Sequence, residues 1–166
     1  MNSQATSAES HIARLRVPFG VLELVSDGRA LTQVNFLPKT ASAKAPPDRI
    51  TAQAAREIGH YLADPRFHFT VPLAPHGTPF QQRVWHALTQ IPAGELRTYG
   101  DVAHTVHSAA RAVGQACGAN PIALIVPCHR VVGAQGSLGG FMNADEGDPL
   151  AIKRWLLAHE GSRPRA

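Results

Sequence analysis

The sequence has little cysteine and no long apolar run. Two cysteines in 166 residues, Cys117 and Cys128, are too few for a multi-disulfide framework or a four-thiolate zinc site. No segment approaches the roughly 18 apolar residues that span a bilayer, and the polar start, residues 1–10, lacks the basic and apolar regions of a signal peptide. We therefore expect a cytoplasmic protein with no membrane partner, whose cysteines are thiols.

The chain also lacks a concentrated basic tail. Its formal net charge is +4 and its pI is about 9.6, yet residues 1–77 and residues 78–166 each carry 8 basic and 6 acidic side chains. This balance permits a polyanionic partner, but by itself it does not distinguish a nucleic-acid-binding protein from an ordinary basic enzyme.

A length of 166 residues with 44% apolar content suffices for one domain or two small ones. Alternating apolar and polar residues in the first part predict a three-stranded antiparallel meander, and a helix with one apolar face follows. Residues 38–49 have no periodicity and predict a loose surface loop. We place a domain boundary between 1–76 and 77–166. The predicted strands and helix cover 13–17, 21–25, 32–36 and 50–63.

The second part is predicted to be mainly helical. Thr78 to Gln81 form a capping box with proline at the first helical position, so a helix starts there. Two short helices follow, Tyr99 to Val106 after Thr98 and Ala109 to Cys117 after Ser108, which we expect to cap the second. This pattern is typical of a helix-turn-helix, and the fold class is α+β with a winged helix-turn-helix-like second domain.

The second of these short helices is rich in alanine and glycine, with Arg111 as its one long charged side chain. A tightly packed core helix would have this composition. Alternatively, small residues would let the helix lie close to a DNA groove while Arg111 fills the gap left by an extruded base.

Cys128 precedes His129 after the apolar run Ile125 to Pro127. A thiol becomes a strong nucleophile when a histidine accepts its proton, so the pair indicates an activated cysteine, although a buried structural cysteine is the simpler alternative. The glycines that follow predict a strand, a turn and a second short strand. Cys117 is interpreted as a small buried apolar residue.

Glu160 lies where a carboxylate is disfavoured. The helix that Asp148 caps and Pro149 begins is expected to end at Gly161, and the helix macrodipole opposes a negative charge in its last turn. A compensating partner would explain the residue, as would simple solvation.

Several segments together resemble the O6-alkylguanine-DNA alkyltransferase family, also called methylated-DNA-protein-cysteine methyltransferases. The resemblance covers about half of the chain, in matching order and spacing. The segments are GTPFQQRVWHAL (77–88), IPAGELRTYGDVA (91–103), ARAVGQACGANP (110–121), IVPCHRVVG (125–133) and KRWLLAHEG (153–161).

The resemblance implies a flipped alkylated guanine and one irreversible transfer to a cysteine. Cys128 would be the acceptor, His129 the base acting through a water, and Glu160 the group that orients and stabilises the imidazolium. Asn120 would brace the turn around the cysteine. Tyr99 would donate a proton to the departing guanine and help rotate the phosphate.

The DNA contacts carried over from the family centre on Arg111, the finger that fills the vacated stack. The remaining implied DNA contacts are Thr98, Ser108, Ala110 and Ser137. The implied pocket residues are Trp85, Val131, Phe141 and Met142. Arg130 is expected to hold the hairpin. The implied partner is double-stranded DNA carrying alkylated bases, bound with little sequence specificity by a monomer that needs no cofactor; O4-alkylthymine is a further candidate substrate.

Three departures from the family pattern modify these expectations. The segment 142–149 is longer and more acidic than the corresponding glycine-rich loop, and Phe141 replaces a frequent tyrosine, so we expect altered access for bulky adducts. The N-terminal part has no cysteine, so no metal is expected. Two rival hypotheses are a DNA-binding module without chemistry and a cysteine hydrolase that uses Cys128 and His129.

Overall fold

The computed structural model describes residues 10–142 and 148–164, and it confirms the predicted α+β class. A three-stranded antiparallel sheet is followed by helices, with one short parallel strand pair among them. In chain order the elements are β1 His11–Val17, β2 Gly20–Ser26, β3 Leu31–Leu37, α1 Arg49–Ala63, α2 Pro79–Thr89, β4 Arg97–Thr98, α3 Tyr99–Val106, α4 Ala110–Gly118, β5 Val131–Val132 and α5 Asp148–His159.

The sheet is the predicted meander, with each strand one or two residues longer at its ends. Gly20 pairs with Val17 at the first turn and has a φ of +146°. A Cβ atom there would lie 2.8 Å from the carbonyl oxygen of Leu37, so the close approach of β3 requires glycine.

Helix α1 covers one face of the sheet. The Asp48 side chain caps it by accepting from Thr51 N at 2.9 Å. Its buried stripe includes Ile50, Ala54 and Ile58, which recur at the helical spacing.

The segment between β3 and α1 is not a loose loop throughout, contrary to the prediction. Lys44 exchanges two backbone hydrogen bonds of 3.0 Å with Arg14 of β1. The pairing covers part of the outer edge of β1, whose amide and carbonyl groups would otherwise be unpaired.

Helices α3 and α4 form the predicted helix-turn-helix. The capping boxes at Thr78 and Thr98 are both present. His107 ends α3 in the left-handed conformation, with a φ of 56°. The prediction that Ser108 caps α4 is wrong, because the N-cap residue is Ala109, whose side chain cannot accept a hydrogen bond.

One continuous hydrophobic core joins the two parts of the chain. Val34 N of β3 donates to Pro121 O at 2.9 Å, and the rings of Phe36 and Phe141 meet edge to face with centroids 6.0 Å apart. The domain boundary near residue 76 stays a prediction. No helix within the described residues is long and apolar enough to cross a membrane.

The short strands β4 and β5 are parallel, with Arg97 opposite Val131 and Thr98 opposite Val132. They place the start of α3 beside the segment that follows Cys128. The predicted turn is present as the 3-10 turn Ala134–Gly136, but the predicted second strand is wrong for the described chain, because only single bridge residues, Ser137 and Phe141, follow the turn.

Candidate active site

A cavity of about 510 Å³ lies between α3, α4 and the segment that precedes α5. It brings together residues that are far apart in sequence, and Cys128 is one of them. The described residues that line it are Tyr99, Arg111, Gly114, Gln115, Cys117, Gly118, Cys128, Gly140, Phe141 and Met142.

Cys128 begins a single 3-10 turn, Cys128–Arg130, rather than lying in a strand. Its side chain is buried, and burial raises the pKa of the thiol because the charged thiolate loses solvation. Asn120 and the ammonium of Lys153 act in the opposite direction on this pKa. The thiol therefore needs a base, or a positive neighbour, to react.

Asn120 fastens the loop that leads to the cysteine. Its side-chain nitrogen donates to Val126 O at 2.9 Å, while its side-chain oxygen accepts from Ile122 N at 3.0 Å. These two bonds fold residues 120–126 into a tight loop that ends just before Cys128.

His129 and Glu160 are in direct contact. Nε2 of His129 lies 2.7 Å from Oε1 of Glu160, and both side chains are fully buried. An ionised carboxylate only accepts hydrogen bonds, so Nε2 carries the proton and Nδ1 keeps its lone pair. Nδ1 has no hydrogen-bond partner among residues 10–142 and 148–164.

Burial lowers the pKa of His129, although Glu160 opposes this effect. The imidazole is therefore neutral near neutral pH and can accept a proton at Nδ1. The imidazole lies next to a buried thiol in sequence and is oriented by a carboxylate, as activation of a cysteine requires.

Glu160 follows the last residue of α5 and accepts from two further residues. Arg130 binds it with two bonds, Nε to Oε2 at 2.9 Å and Nη2 to Oε1 at 2.8 Å, and the Tyr61 hydroxyl donates to Oε1 at 2.8 Å. Burial alone would raise the pKa of Glu160, but the bonds from His129 and Arg130 outweigh it and lower the pKa to about 2. The predicted hairpin role of Arg130 is wrong, because its side chain holds Glu160 and Ile91 O.

Tyr99 is the first residue of α3, and its half-buried ring lines the cavity. The hydroxyl donates to Gly140 O at 3.3 Å. Gly139 has a φ of +69°, and a Cβ atom there would lie 3.0 Å from the Tyr99 ring. The glycine therefore leaves room for the tyrosine.

Lys153, which no sequence pattern indicated, is completely buried in α5. Its Nζ donates to Val131 O and to Gly140 O, both at 2.8 Å, and so joins β5 to the cavity wall. Burial lowers its pKa to about 8, while the two cysteine thiols act in the opposite direction. A lysine in an amphipathic helix is ordinarily exposed to solvent, so the sequence does not indicate that Lys153 is buried.

The expected DNA contacts lie at the start of α3, at the start of α4 and after the turn Ala134–Gly136. Arg111 is exposed at the start of α4 and lines the cavity. Ser108, Ala110 and Ser137 are exposed, and the Thr98 hydroxyl is engaged in the cap of α3. Among the described residues that line the cavity, Arg111 is the one long cationic side chain.

Of the four predicted pocket residues, Phe141 and Met142 line the cavity, whereas the lining within the described chain does not include Trp85 and Val131. The Trp85 ring is buried between α2 and α4 and donates to Ala116 O at 2.8 Å. Val131 is fully buried in β5, and its carbonyl accepts from Lys153. The predicted place of Trp85 in the pocket is therefore wrong, because its ring packs between α2 and α4.

Cys117 is buried, as predicted, but it also lines the cavity. Burial raises the pKa of its thiol to about 12, and the nearby Cys128 adds to this effect. Cys117 is therefore protonated near neutral pH and is a poor nucleophile beside Cys128.

In the part of the chain that the structure describes, no group of three His, Cys, Asp or Glu side chains is placed to hold a metal ion. The prediction about bulky adducts falls largely on residues 143–147, which lie outside the described residues.

Known proteins are similar to this chain in both sequence and fold. A sequence model of the "6-O-methylguanine DNA methyltransferase, DNA binding domain" matches residues 79–162. A methylated-DNA–protein-cysteine methyltransferase of Methanosarcina acetivorans is 43% identical over 87% of this chain and 94% of its own. The Mycobacterium tuberculosis O6-methylguanine methyltransferase structure has 41% identity and a TM-score of 0.80, covering 95% of this chain and 96% of that one. The M. tuberculosis OGT in complex with DNA has 42% identity and a TM-score of 0.78, covering 93% and 95%.

Proposed function

The chain belongs to the 6-O-methylguanine DNA methyltransferase family, and on that premise we propose that Cys128 removes the alkyl group from O6-alkylguanine in DNA. The transfer is stoichiometric and irreversible, and it repairs the base directly. The observation that carries this proposal is the buried contact of His129 with Glu160, 2.7 Å long, beside a cysteine that lines a cavity.

His129 activates the cysteine. Glu160 fixes the proton on Nε2, so Nδ1 takes the thiol proton through a water molecule, and the resulting imidazolium is stabilised by the carboxylate. The thiolate then attacks the alkyl carbon. A carbon–sulfur bond forms at Cys128, the bond between that carbon and O6 breaks, and the guanine leaves with the electron pair.

Tyr99 serves the leaving group. Its hydroxyl lies at the cavity wall, where it hydrogen bonds to Gly140 O. A phenol that donates to the departing guanine neutralises developing negative charge and so lowers the barrier. Asn120 supports the reaction indirectly, since it holds the loop in front of the acceptor cysteine.

The base reaches the cavity by leaving the helical stack. Arg111 stands exposed at the cavity on α4, where it fills the space that the base vacates. Thr98, Ser108, Ala110 and Ser137 contact the phosphate backbone. Phosphate contacts carry no sequence information, so binding to double-stranded DNA has little sequence specificity. The protein acts as a monomer, without a cofactor.

A thioether at Cys128 is stable, so the site needs activation of the thiol but no water for hydrolysis. This distinguishes it from a cysteine hydrolase, which must regenerate its thiol. Both thiols are free, as a reducing compartment would keep them, and we place the protein in the cytoplasm.

The test is transfer of a labelled methyl group. The protein is incubated with duplex DNA containing O6-[³H-methyl]guanine, digested, and the labelled peptide is identified by mass spectrometry. We expect one methyl group per protein molecule, on Cys128. Cys128→Ser abolishes the transfer, whereas Cys117→Ser, a matched change in the same cavity, retains it.

Three results would contradict the proposal. Label on Cys117 or elsewhere in wild-type protein would show a different acceptor. More than one product per protein molecule would indicate a hydrolase. Tight binding of methylated DNA with the methyl group left in place would indicate a module that recognises the lesion without chemistry.

A further inference from the structure

Tyr61 lies in α1, 99 positions before Glu160, and its hydroxyl donates to the carboxylate that orients His129. The distance from the Tyr61 hydroxyl to Oε1 is 2.8 Å, and the residue is 1% exposed. We propose that Tyr61 is a positioning residue for alkyl transfer, which fixes Oε1 of Glu160 toward His129 and limits the negative charge that this oxygen presents. This inference rests on the proposed function of Cys128.

The donors on Glu160 are unevenly shared between its oxygens. Oε1 receives His129 Nε2 at 2.7 Å, Arg130 Nη2 at 2.8 Å and the Tyr61 hydroxyl at 2.8 Å, whereas Oε2 receives Arg130 Nε at 2.9 Å. Because the tyrosine competes for the same oxygen as the imidazole, it weakens the interaction of that oxygen with an imidazolium.

Tyr61 is a permanent donor. Burial and the charge of Glu160 raise the pKa of its hydroxyl far above the working range. His159 also contacts the backbone and the ring of Tyr61. Its Nε2 lies 2.8 Å from the backbone carbonyl oxygen of Tyr61, and the two rings meet edge to face with centroids 5.2 Å apart. The hydroxyl therefore has a defined place relative to Glu160.

The charged groups that act on His129 are Glu160, Arg130 and Lys153. Glu160 favours the imidazolium, while Arg130 and Lys153 disfavour it. The charged and titratable groups around His129 and Glu160 are Tyr61 from α1, Cys128 and Arg130 from the 3-10 turn, Lys153 and His159 from α5.

Tyr61→Phe keeps the ring and removes the hydroxyl. Oε1 then has two donors instead of three, so it stabilises an imidazolium more strongly and the pKa of His129 rises. His129 accepts the thiol proton only when it is neutral. The midpoint of the acid limb of the rate profile therefore moves to higher pH, by about 0.5 to 1 unit, the size expected for one hydrogen bond.

The experiment measures single-turnover methyl transfer by the full chain across about pH 5 to 9, the range in which histidine titrates. The matched control is Ile58→Val, which removes a buried methyl group one turn earlier on α1 and leaves the hydroxyl in place. A purely structural role for Tyr61 predicts that both variants lose stability and keep the wild-type midpoint.

The pKa of His129 is also followed directly by NMR of histidine-labelled protein, with the signal assigned by its absence in His129→Asn. We expect it to rise in Tyr61→Phe, and in Tyr61→Leu if the phenylalanine variant folds poorly. An unchanged His129 titration would overturn the role of Tyr61, as would an unchanged rate midpoint in an active protein. Absence of methyl transfer by wild-type protein at every pH would instead contradict the proposed function, and the NMR titration would still test Tyr61.

Discussion

Oε1 of Glu160 lies 2.7 Å from Nε2 of His129, in a place where neither side chain reaches solvent. The contact assigns the imidazole proton, because a carboxylate cannot donate. Nε2 therefore orients the imidazole ring, and Nδ1 remains able to accept the thiol proton.

Glu160→Gln changes the acceptor into a group that also donates. The amide can donate to Nε2, which shifts the proton to Nδ1 and removes the lone pair that the thiol needs. We expect methyl transfer to slow by about 10² to 10⁴-fold, the usual contribution of general base catalysis. The measurement is the single-turnover rate, at a temperature where circular dichroism shows the variant folded, since Arg130 loses its charged partner.

Glu57→Gln is the matched control for this change. Glu57 is also a buried carboxylate, but it accepts from Thr70 N at 2.8 Å and Val71 N at 2.9 Å, away from the cavity. It should lower the melting temperature and leave the transfer rate unchanged. Equal rate losses in both variants would show that the effect of Glu160 is general destabilisation.

Lys153→Met tests the buried ammonium through the pH dependence of stability. The pKa of Lys153 is lowered from 10.5 to about 8 in the folded protein. Between these values the unfolded chain holds a proton that the folded chain has lost, so the wild type gains stability as the pH rises. Relative to Lys153→Met, we expect a gain on the order of 3 kcal/mol from about pH 8 to 10.5, measured by urea unfolding.

Lys39→Met is the control for Lys153, because Lys39 is exposed. Its unfolding free energy should follow that of the wild type at each pH. If the difference between wild type and Lys153→Met stays constant over this range, the ammonium titrates normally and the assigned environment is wrong.

Arg111→Ala tests base extrusion. If Arg111 fills the vacated stack, its loss should slow repair of duplex DNA by about 10 to 100-fold, because the cost of unstacking is no longer offset. Free O6-benzylguanine needs no extrusion, so its rate should change little. The informative quantity is the ratio of the two rates. Arg56→Ala removes another exposed arginine, from α1, and should leave that ratio unchanged.

Gly139→Ala tests the space beside Tyr99. The added Cβ would meet the tyrosine ring at 3.0 Å and the amide of Gly133 at 3.3 Å, and the residue keeps a φ of +69°. We expect a stability loss of about 1 to 2 kcal/mol from the left-handed backbone, together with slower transfer because Tyr99 is displaced.

Gly59→Ala, in the exposed interior of α1, meets no atom within 4 Å. It should stabilise the protein by about 0.5 to 1 kcal/mol without any change in rate. A Gly139→Ala protein as active as Gly59→Ala would show that the position of Tyr99 is not critical.

Local signals in the sequence predicted most of the fold. Alternation predicted the strands, and the capping box at Thr78 located the start of α2. The errors arose where tertiary contacts decide the structure. Lys44 pairs with Arg14 through backbone atoms alone, and the 3-10 turn at Cys128 has no distinct sequence pattern.

The site was predictable where neighbouring residues or a helix end carry a signal. Cys128 and His129 are adjacent, and Glu160 stands out because the macrodipole disfavours it. Tyr61 and Lys153 were missed because an aromatic residue on an apolar face and a lysine in a helix have commoner explanations. Trp85 was misplaced because its packing partner, Ala116, lies in another helix.

The contact between His129 and Glu160 also bears on the order of events during synthesis. Translation delivers Cys128 and His129 before Glu160, so a nascent chain that still lacks Glu160 has an imidazole with no carboxylate to orient it. We therefore expect ribosome-bound chains in which residue 160 is still inside the exit tunnel to react slowly with alkylated bases. Because the thiol can be used only once, this delay would preserve it until His129 and Glu160 are in contact.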